Sequence, residues 1–541
     1  MRTFSSYGPV NCKKNFYIPR KELIKTCIKT LVDDPDEGGR YFTIWGPRQT
    51  GKTWVMQQVI DEIPVLYKNK FAICEFSAGG VRGMKYSIKD IADTDRIPNP
   101  LSGIFEDALP GSPVITTWKD FRKIFSKNNG LWDRPLIMLI DEIDTIPGDL
   151  LDLMVGQFRE LYLHRKENYL HGLALTGVRA VLGMDSQKGS PFNVQKSMHV
   201  QNFTKQEVIE LYRQYQEESE QVIKPEVVSK VFEITNGQPG IVSWFGELLT
   251  EKYNPGKDKA IDMNTWKYAY HGACNTEYNA TILNLIAKAK NEYTEHVLRL
   301  FSNSDIKFSL DEEWCNYMYM HGLISYNNKE NEQGDLISVC KFSCHFIQYR
   351  IYNALIHLMN HSTQSLQYDL GVTVLALEPL DDLGDVFDGP RLKIPALLER
   401  YKNYLMRLKT AGINPWEKQP RRKTDFHLTE AVGHFHLFSW LEMAVGRRCT
   451  VSPEFPTGNG TVDIHLEYYD KRSVIEVKSF TDTYQAKEAM KQAAAYGKKL
   501  EFDSVTVAMF APFTDQDILA KLSDVQVIEN VNVTMVAIGQ G

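Results

Sequence analysis

The chain has 541 residues, of which 43% are hydrophobic and 24% charged; this favours several ordinary globular domains and excludes a disordered or fibrous protein. A formal net charge of −6 excludes a general attraction to nucleic acid, so any such contact must depend on local basic patches. The eight cysteines include no CxxC pair, which favours free thiols in a reducing compartment. Since the amino terminus lacks an apolar signal core and no run approaches the length of a membrane span, we expect a soluble cytoplasmic protein with no membrane partner.

The first predicted elements are a helix, a strand and a glycine-bearing loop. The helix begins near Pro19, and Arg20 at its start is a candidate contact for a nucleotide base or, equally, a packing residue. An apolar run at 41–45 predicts a strand, and a helical run follows at 54–60. The residues between them match G-x-x-x-x-G-K-[ST], a loop whose backbone N–H groups cradle phosphates. This loop consists of Gly46, Pro47, Arg48, Gln49, Thr50, Gly51, Lys52 and Thr53.

The side chains of the loop have separate chemical roles. Gly46 and Gly51 allow the tight turn, because they have no side chain to obstruct the phosphates. Lys52 can reach the outer phosphates, and the Thr53 hydroxyl can ligate Mg²⁺. The pattern also occurs in ordinary glycine loops, so a second feature is needed to decide.

That feature is an apolar run at 135–140, which is typical of a buried parallel strand and ends in Asp141 and Glu142. Asp141 can hold the Mg²⁺ that Thr53 binds, and Glu142 can polarise the attacking water. An Asp-Glu pair alone is common in solvated turns. Both motifs together, in this order and in this strand context, predict nucleotide hydrolysis.

A further strand is predicted at 173–179. Strand ends face the ligand in sheets of this class, so Thr176 and Arg179 are candidate sensors of the outer phosphate. A surface salt bridge is the alternative for Arg179. Helices follow between 203 and 252, and Pro239 suits the first turn of one of them.

Several motifs in this order resemble one group of enzymes, the prokaryotic AAA/STAND-type ATPases that are similar to the archaeal ATPase group. The resemblance covers roughly residues 8–360. It implies that Gly237 and Pro239, in a helical lid, contact the base. We expect ATP and Mg²⁺ as the cofactors, and a homo-oligomer is a candidate assembly. ATP is favoured over GTP because Asn328-Lys329-Glu330-Asn331 departs from the guanine-reading pattern Asn-Lys-x-Asp. The motifs are Ile18-Pro19-Arg20, Gly46–Thr53, Ile140–Asp144, Thr176–Arg179 and Asn236–Gly240.

Residues 281–358 are predicted to form three helices and two strand-like pieces around a turn at 327–330, a winged-helix pattern that the resemblance also implies. Such domains bind DNA or pack as a lid on the ATPase. Acidic residues outnumber basic ones between 276 and 360, which favours the packing role. An acidic, irregular stretch at 362–392 predicts a linker.

The last segment contains a second group of chemically active residues. Glu430 lies at the edge of an amphipathic helix at 427–445, and two strands follow at 461–467 and 473–478. Strand alternation puts Glu476 and Lys478 on one face, and a hairpin can bring Asp463 beside them. The alternative is a surface hairpin with ordinary salt bridges.

These residue types suit metal-dependent phosphodiester cleavage. Asp463, Glu476 and Glu430 offer the hard oxygen ligands that Mg²⁺ needs, and Lys478 can neutralise the developing negative charge. The segment resembles the PD-(D/E)XK nuclease domains attached to such ATPases, over roughly residues 425–515, with Val462 where the motif would have Pro. Gln492 and Tyr496, on the next predicted helix, are candidate supporting residues.

The expected fold is α/β: a P-loop NTPase parallel sheet with a helical lid and a winged-helix domain, followed by an α/β restriction-endonuclease-like domain. The expected function is ATP hydrolysis coupled to Mg²⁺-dependent cleavage of nucleic acid, with DNA as the expected partner; defence against invading DNA is a family-level association. The alternative is a STAND-like ATP-driven switch whose last domain binds nucleic acid or a partner without cutting. The expected domains are the ATPase core at 1–202, the lid at 203–262, the winged helix at 263–362, the linker and bridging helix at 363–424, and the nuclease-like domain at 425–541.

Overall fold

The chain divides into two compact units. The first comprises Met1–Thr281 and Tyr317–Gly322, and the second comprises Ile282–Asn316 and Leu323–Gly541. The finer division into five domains stays a prediction. The computed structural model describes residues 1–81, 117–129, 132–178, 196–302, 306–330, 335–355, 377–378, 381–417, 419, 421, 427–428, 430–446, 448–454, 463–469, 471–499 and 502–540.

The first unit is built on a five-stranded parallel sheet in the order β2-β3-β4-β1-β5. The strand that leads into the glycine loop and the strand that ends in Asp141 therefore flank β4, and both end at the same edge of the sheet. The strands are Tyr41–Trp45 (β1), Ala72–Ser77 (β2), Leu136–Asp141 (β3), Leu170–Gly177 (β4) and Lys196–His199 (β5).

Helices cover both faces of this sheet. Alternation along β3 explains the two layers: Ile137 and Leu139 pack with α1 and α2 on one face, and Leu136, Met138 and Ile140 pack with α3 and α4 on the other. These helices are Lys21–Val32 (α1), Lys52–Leu66 (α2), Trp118–Lys123 (α3) and Gly148–Leu163 (α4). Short 3₁₀ segments are Ala78–Val81, Lys127–Asn129, Ile143–Thr145 and Arg165–Glu167.

Four further helices follow in the first unit, three within the residues predicted as the lid and the fourth at the start of the segment predicted as the winged helix. Thr204 caps the first of them in a capping box with Glu207, and Pro225 and Pro239 begin the next two, where a missing N–H carries no cost. A π-helical turn, Leu248–Lys252, follows the third helix. The helices are Lys205–Ser219 (α5), Pro225–Thr235 (α6), Pro239–Glu247 (α7) and Met263–Asn275 (α8).

The next segment has three helices and one antiparallel hairpin, as the winged-helix pattern predicts. The turn expected at 327–330 is wrong, since these residues continue the first strand of the hairpin, and its polar side chains alternate between the two faces. Residues 345–355 are helical. The other elements are Ala280–Ala289 (α9), Thr294–Ser302 (α10), Glu313–His321 (α11), Ile324–Glu330 (β6) and Leu336–Phe342 (β7).

The carboxyl-terminal part contains a mixed six-stranded sheet in the order β10-β11-β12-β13-β15-β14. The predicted hairpin is β11 and β12, and β12 pairs in parallel with β13. The sequence did not predict β10, β14 and β15. The strands of this sheet are Thr450–Glu454 (β10), Asp463–Tyr468 (β11), Lys471–Ser479 (β12), Ser504–Ala511 (β13), Asp524–Ile528 (β14) and Val531–Gly539 (β15). Phe387–Asp388 (β8) and Arg391–Leu392 (β9) form a separate two-stranded sheet.

Helices pack on this second sheet as well. Ala489, Ala493 and Ala494 of α14 form a core with Val507 of β13 and Val533 of β15. The helix α13 packs on β10, β11 and β12. No helix that the structure describes is long and apolar enough to cross a bilayer. The helices are Ile394–Thr410 (α12), Glu430–Val445 (α13), Thr483–Lys499 (α14) and Gln516–Leu522 (α15).

Candidate nucleotide and metal sites

The glycine loop joins β1 directly to α2, as the sequence predicts. Gly51 immediately precedes the helix with φ +92°, a left-handed conformation that favours glycine. Lys52 Nζ turns back over the loop and donates to the carbonyl oxygens of Gly46 (2.8 Å) and Pro47 (2.7 Å). The lysine therefore lies over the mouth of the loop, beside the amino terminus of α2, where an anion is stabilised.

Lys52 also lies close to other charged groups. Desolvation lowers the pKa of Lys52 to about 8, while the charges of Asp144 and Asp141 raise it and that of Arg48 lowers it. The lysine is thus held near two carboxylates rather than in bulk water. A phosphate group placed here would meet a partly desolvated cation, whose electrostatic attraction is stronger than that of a surface lysine.

Thr53 and Asp141 meet as the two motifs require. The Thr53 hydroxyl donates to Asp141 Oδ2 at 2.7 Å, and Asp141 Oδ1 accepts from the Glu142 N–H at 2.8 Å. A hydroxyl and a carboxylate in contact form the hard oxygen donor set that suits Mg²⁺, so these residues fit the metal that the sequence implies.

Glu142 is positioned by the neighbouring strand. Its backbone has φ +58°, and its Oε2 accepts from the Ser77 hydroxyl at 2.6 Å. Ser77 ends β2 in register with Asp141, and a Cβ atom at Gly79 would clash with the same carboxylate oxygen. Ser77 was not predicted from the sequence as a site residue. It could have been found from its position at the end of β2, because β2 and β3 end at the same edge of the sheet.

Asp144 is a second site residue that was not predicted from the sequence. Its Oδ2 accepts from the Val178 N–H at 2.6 Å, which links the Asp-Glu segment to the end of β4. A Cβ at Gly177 would lie 2.8 Å from both carboxylate oxygens, so glycine is needed there. Asp144 therefore adds a fixed negative charge near Lys52.

The two candidate phosphate sensors stay predictions. Thr176 lies on β4 between the two motif strands, but it is fully buried and its hydroxyl donates to Met56 Sδ at 2.7 Å. In this conformation the hydroxyl is turned toward α2. Arg179 lies outside the described residues.

Arg20, a predicted base contact, is held by the segment that follows β5. Arg20 donates to the Gln201 carbonyl at 2.6 Å and lies over the Phe203 ring at 4.7 Å, and burial lowers its pKa although the charge of Glu207 raises it. His199 stacks on Trp45 at 4.1 Å. The pKa of His199 is lowered, mainly by burial and also by the positive charges of Lys52 and Arg20. Both cations therefore lie close enough to His199 to affect its protonation.

The remaining loop residues contact one another and the start of α7. Thr50 Oγ1 donates to the Pro47 carbonyl at 2.9 Å, inside the loop. The backbone oxygen of Gln49 accepts from the Gly240 N–H at 3.0 Å, next to the buried Pro239 that begins α7. The Arg48 carbonyl accepts from Gln238 Nε2 at 3.1 Å. The start of α7 is therefore bonded to the phosphate loop itself.

The second candidate site lies on the β11–β12 hairpin. The register places Asp463 directly opposite Glu476, as the sequence predicts. The Glu476 side chain is only 1% exposed, and its Oε1 lies 3.1 Å from Lys478 Nζ. Burying a carboxylate is costly unless a cation or a metal compensates it, so Lys478 stabilises the charge of Glu476.

The other predicted residues of this site are spread over two helices. Glu430 is the first residue of α13, which packs on β12, and it is half-buried. On α14, Gln492 is exposed and Tyr496 is half-buried. The carboxylates are hard oxygen ligands of the kind that Mg²⁺ binds. No group of three or more His, Cys, Asp or Glu side chains poised for a metal occurs among the described residues, which do not include the Asp463 side chain.

A family described as a domain of unknown function, DUF8371, matches residues 421–511 and so spans the β11–β12 hairpin. No curated protein matches the chain.

Solved structures similar to this chain include three nucleotide-binding or DNA-associated proteins. A Walker-type ATPase of Pyrococcus abyssi shares 13% identity, with 64% of this chain and 99% of that one covered and a TM-score of 0.41. The RuvB Holliday junction branch migration motor of Thermotoga maritima shares 13% identity, with 59% of this chain and 91% of that one covered and a TM-score of 0.31. Aeropyrum pernix ORC1 in complex with DNA shares 13% identity, with 65% of this chain and 95% of that one covered and a TM-score of 0.30.

Proposed function

We propose that the first unit binds and hydrolyses ATP. The observation that carries this proposal is the contact between Thr53 and Asp141, 2.7 Å apart, beside a loop whose lysine lies over its mouth. Two motifs far apart in the chain meet at one sheet edge, with the residue types that phosphoryl transfer requires.

Each residue has a role in the proposed reaction. Lys52 binds the outer phosphates and offsets their charge, and the loop N–H groups orient them. Glu142, held by Ser77, orients and deprotonates the attacking water. Thr53 and Asp141 would hold Mg²⁺, which when bound stabilises negative charge on the phosphates.

We further propose that the second unit cleaves nucleic acid, with DNA as the expected substrate. The supporting observation is the buried Glu476, paired with Lys478 and in register with Asp463. Asp463, Glu476 and Glu430 would hold Mg²⁺, which when bound lowers the pKa of a water molecule. Lys478 would stabilise the negative charge that develops on the phosphate.

The second candidate function is an ATP-driven switch that binds nucleic acid or a partner without cutting. It is favoured by the same ion pair, because a lysine that stabilises a buried carboxylate also has a purely structural use. The two functions differ in one measurable product, the cut strand.

The deciding experiment uses the whole chain. Labelled single- and double-stranded DNA and RNA are incubated with the protein, with and without Mg²⁺ and with ATP, ADP or no nucleotide. ATP turnover is measured in the same reactions, with Lys52→Ala as the control that loses phosphate binding. Cleavage that needs Mg²⁺ supports the nuclease, whereas turnover without cleavage under every condition favours the switch. Absence of ATP turnover would contradict the first proposal.

A further inference from the structure

A ring of hydrogen bonds connects the phosphate loop to the lid helix α7 and to the first residues of the chain. Gln49 is its centre. The Gln49 side chain reaches the amino-terminal segment, where its Nε2 donates to the Ser6 carbonyl at 2.7 Å. Its backbone oxygen accepts from the Gly240 N–H at 3.0 Å.

The contact between Gln49 and α7 is tight. A Cβ atom at Gly240 would clash with the Gln49 side chain, so only glycine lets the first turn of the helix approach this closely. Gln238, which caps the same helix by accepting from the Ile241 N–H at 2.6 Å, donates to the Arg48 carbonyl. The start of α7 therefore holds two consecutive peptide groups of the loop.

The other end of α7 is held by the amino-terminal segment. Glu247, the last residue of α7, accepts from the Ser6 N–H at 2.6 Å and from the Ser6 hydroxyl at 2.8 Å. Phe4 lies against Gly246, where a Cβ would clash with its ring. Ser6 thus bonds the far end of the helix through its N–H and the loop through its carbonyl, and the ring is closed.

The loop has a conformation that needs such support. Gln49 has φ +60°, which is uncommon for a residue other than glycine and persists where the surroundings fix it. The loop N–H groups converge on phosphates only when this backbone is held in place. If the ring were broken, a smaller fraction of molecules would have the competent loop, and the apparent affinity for nucleotide would fall by that fraction.

We propose that Gln49 is a positioning residue, through which Ser6 and α7 hold the phosphate loop in its nucleotide-binding conformation. This inference rests on the proposed nucleotide binding and adds its regulation: a partner or a conformational change that displaces the first residues from Glu247 would lower nucleotide affinity without touching the nucleotide.

The test measures the dissociation constant of a fluorescent ATP analogue, kcat and KM for ATP, and the melting temperature without nucleotide. Gln49→Met keeps the length of the side chain but removes its donor, and we expect the dissociation constant and KM to rise about tenfold, with kcat within about twofold. Glu247→Met breaks the ring at its other end and should raise the dissociation constant about fivefold. The matched controls are Gln57→Met, exposed on α2, and Glu251→Met, exposed after α7; both should bind as wild type.

The double variant distinguishes a ring from two independent contacts. If Gln49 and Glu247 act through one ring, Gln49→Met/Glu247→Met should bind about as weakly as Gln49→Met alone, rather than about fiftyfold more weakly than wild type. Multiplicative effects, or Gln49→Met binding within twofold of wild type, would overturn the inference. Failure of the wild-type protein to bind the analogue would instead refute the proposed ATP site on which the inference rests.

Discussion

The sheet edge of the first unit and the β11–β12 hairpin of the second both place carboxylates beside a lysine, but they fix these groups differently. At the first site, Asp141 and Glu142 have hydrogen-bond partners on other elements, Thr53 on α2 and Ser77 on β2. At the second, strand register and one ion pair connect the groups, with Glu476 buried under Lys478.

The difference follows from what each chemistry requires. A phosphate cradle is made of backbone N–H groups, so its residues must be contiguous and are readable as a motif. A metal site of carboxylates is made of side chains that separate elements bring together, here β11, β12 and, through Glu430 of the proposed set, α13. The first site is thus specified locally, whereas the second depends on how the sheet and α13 pack.

The largest expected effects test whether the hairpin is a catalytic site. Asp463→Ala and Lys478→Ala should each reduce cleavage of labelled DNA by about 10²-fold or more, because one removes a proposed metal ligand and the other the cation beside the phosphate. ATP turnover should stay close to wild type. Excess Mg²⁺ or Mn²⁺ should partly restore Asp463→Ala but not Lys478→Ala, since only the first change weakens metal binding.

Lys471→Ala is the matched control, because this lysine is exposed at the start of the same strand. It should cleave as wild type. Full cleavage by both site variants would refute the catalytic assignment of the hairpin and make its ion pair a structural feature.

The next effect tests the better-fixed site. Glu142→Gln should bind ATP as wild type but hydrolyse it about 10²-fold more slowly, because the water loses its general base while Thr53 and Asp141 are unchanged. Single-turnover hydrolysis and nucleotide binding, measured on the same preparation, separate the two steps. Glu75→Gln, exposed on β2, is the control. Wild-type turnover by Glu142→Gln would show that another group activates the water.

The sequence predicted the elements of both sites better than their supports. The loop, the Asp-Glu strand and the Asp463–Glu476 pairing were all readable, because each depends on local pattern or on strand alternation. Ser77 and Asp144 were missed, since their roles depend on which strands are neighbours in the sheet. The order β2-β3-β4-β1-β5 is set by long-range packing that no local pattern records.

The turn wrongly expected at 327–330 shows the same limit at smaller scale. Asn327, Asn328 and Lys329 are typical turn residues, yet they alternate within β6 because pairing with β7 satisfies their backbone. Tertiary pairing there overrides local propensity.

Acid should destabilise the second unit, because a desolvated histidine on α13, His436, is neutral in the folded chain. The Tyr401 hydroxyl and His436 Nδ1 form a hydrogen bond of 2.6 Å, and desolvation lowers the pKa of His436 from 6.5 to about 4. The unfolded chain binds a proton below pH 6.5 that the folded chain excludes until about pH 4. Stability from this residue is therefore full above pH 6.5 and is lost as the pH falls, by about 2 kcal/mol at pH 5 and about 3 kcal/mol at pH 4.

Amide hydrogen exchange of α12 and α13, corrected for intrinsic rates, measures this loss within the whole chain. The glutamine of His436→Gln can still hydrogen-bond Tyr401 but does not titrate. The free energy of exchange of α12 and α13 in this variant should therefore fall less with acid than in wild type, by about the loss assigned to His436. His164→Gln, exposed in the first unit, is the control. An equal pH dependence in wild type and His436→Gln would contradict the assignment.

The smallest expected effect concerns the support of Glu142 by Ser77. Ser77→Ala removes the hydroxyl that donates to Glu142 Oε2 at 2.6 Å, so the carboxylate keeps its charge but loses its fixed orientation. We expect kcat for ATP to fall about three- to tenfold with KM unchanged, a change of the size of one ordinary hydrogen bond. Gly79→Ala should act on the same oxygen by steric clash and lower kcat similarly, and the double variant should be little worse than either, because both changes misplace one group. Ser219→Ala, which loses a hydroxyl bond of 2.7 Å to the Tyr215 carbonyl in α5, is the control and should leave kcat unchanged. A rise in KM with unchanged kcat would mean that Ser77 supports nucleotide binding rather than the orientation of Glu142. The hydrogen bond from Ser77 would then no longer distinguish the first site from the hairpin site as the one whose catalytic carboxylate is held in place.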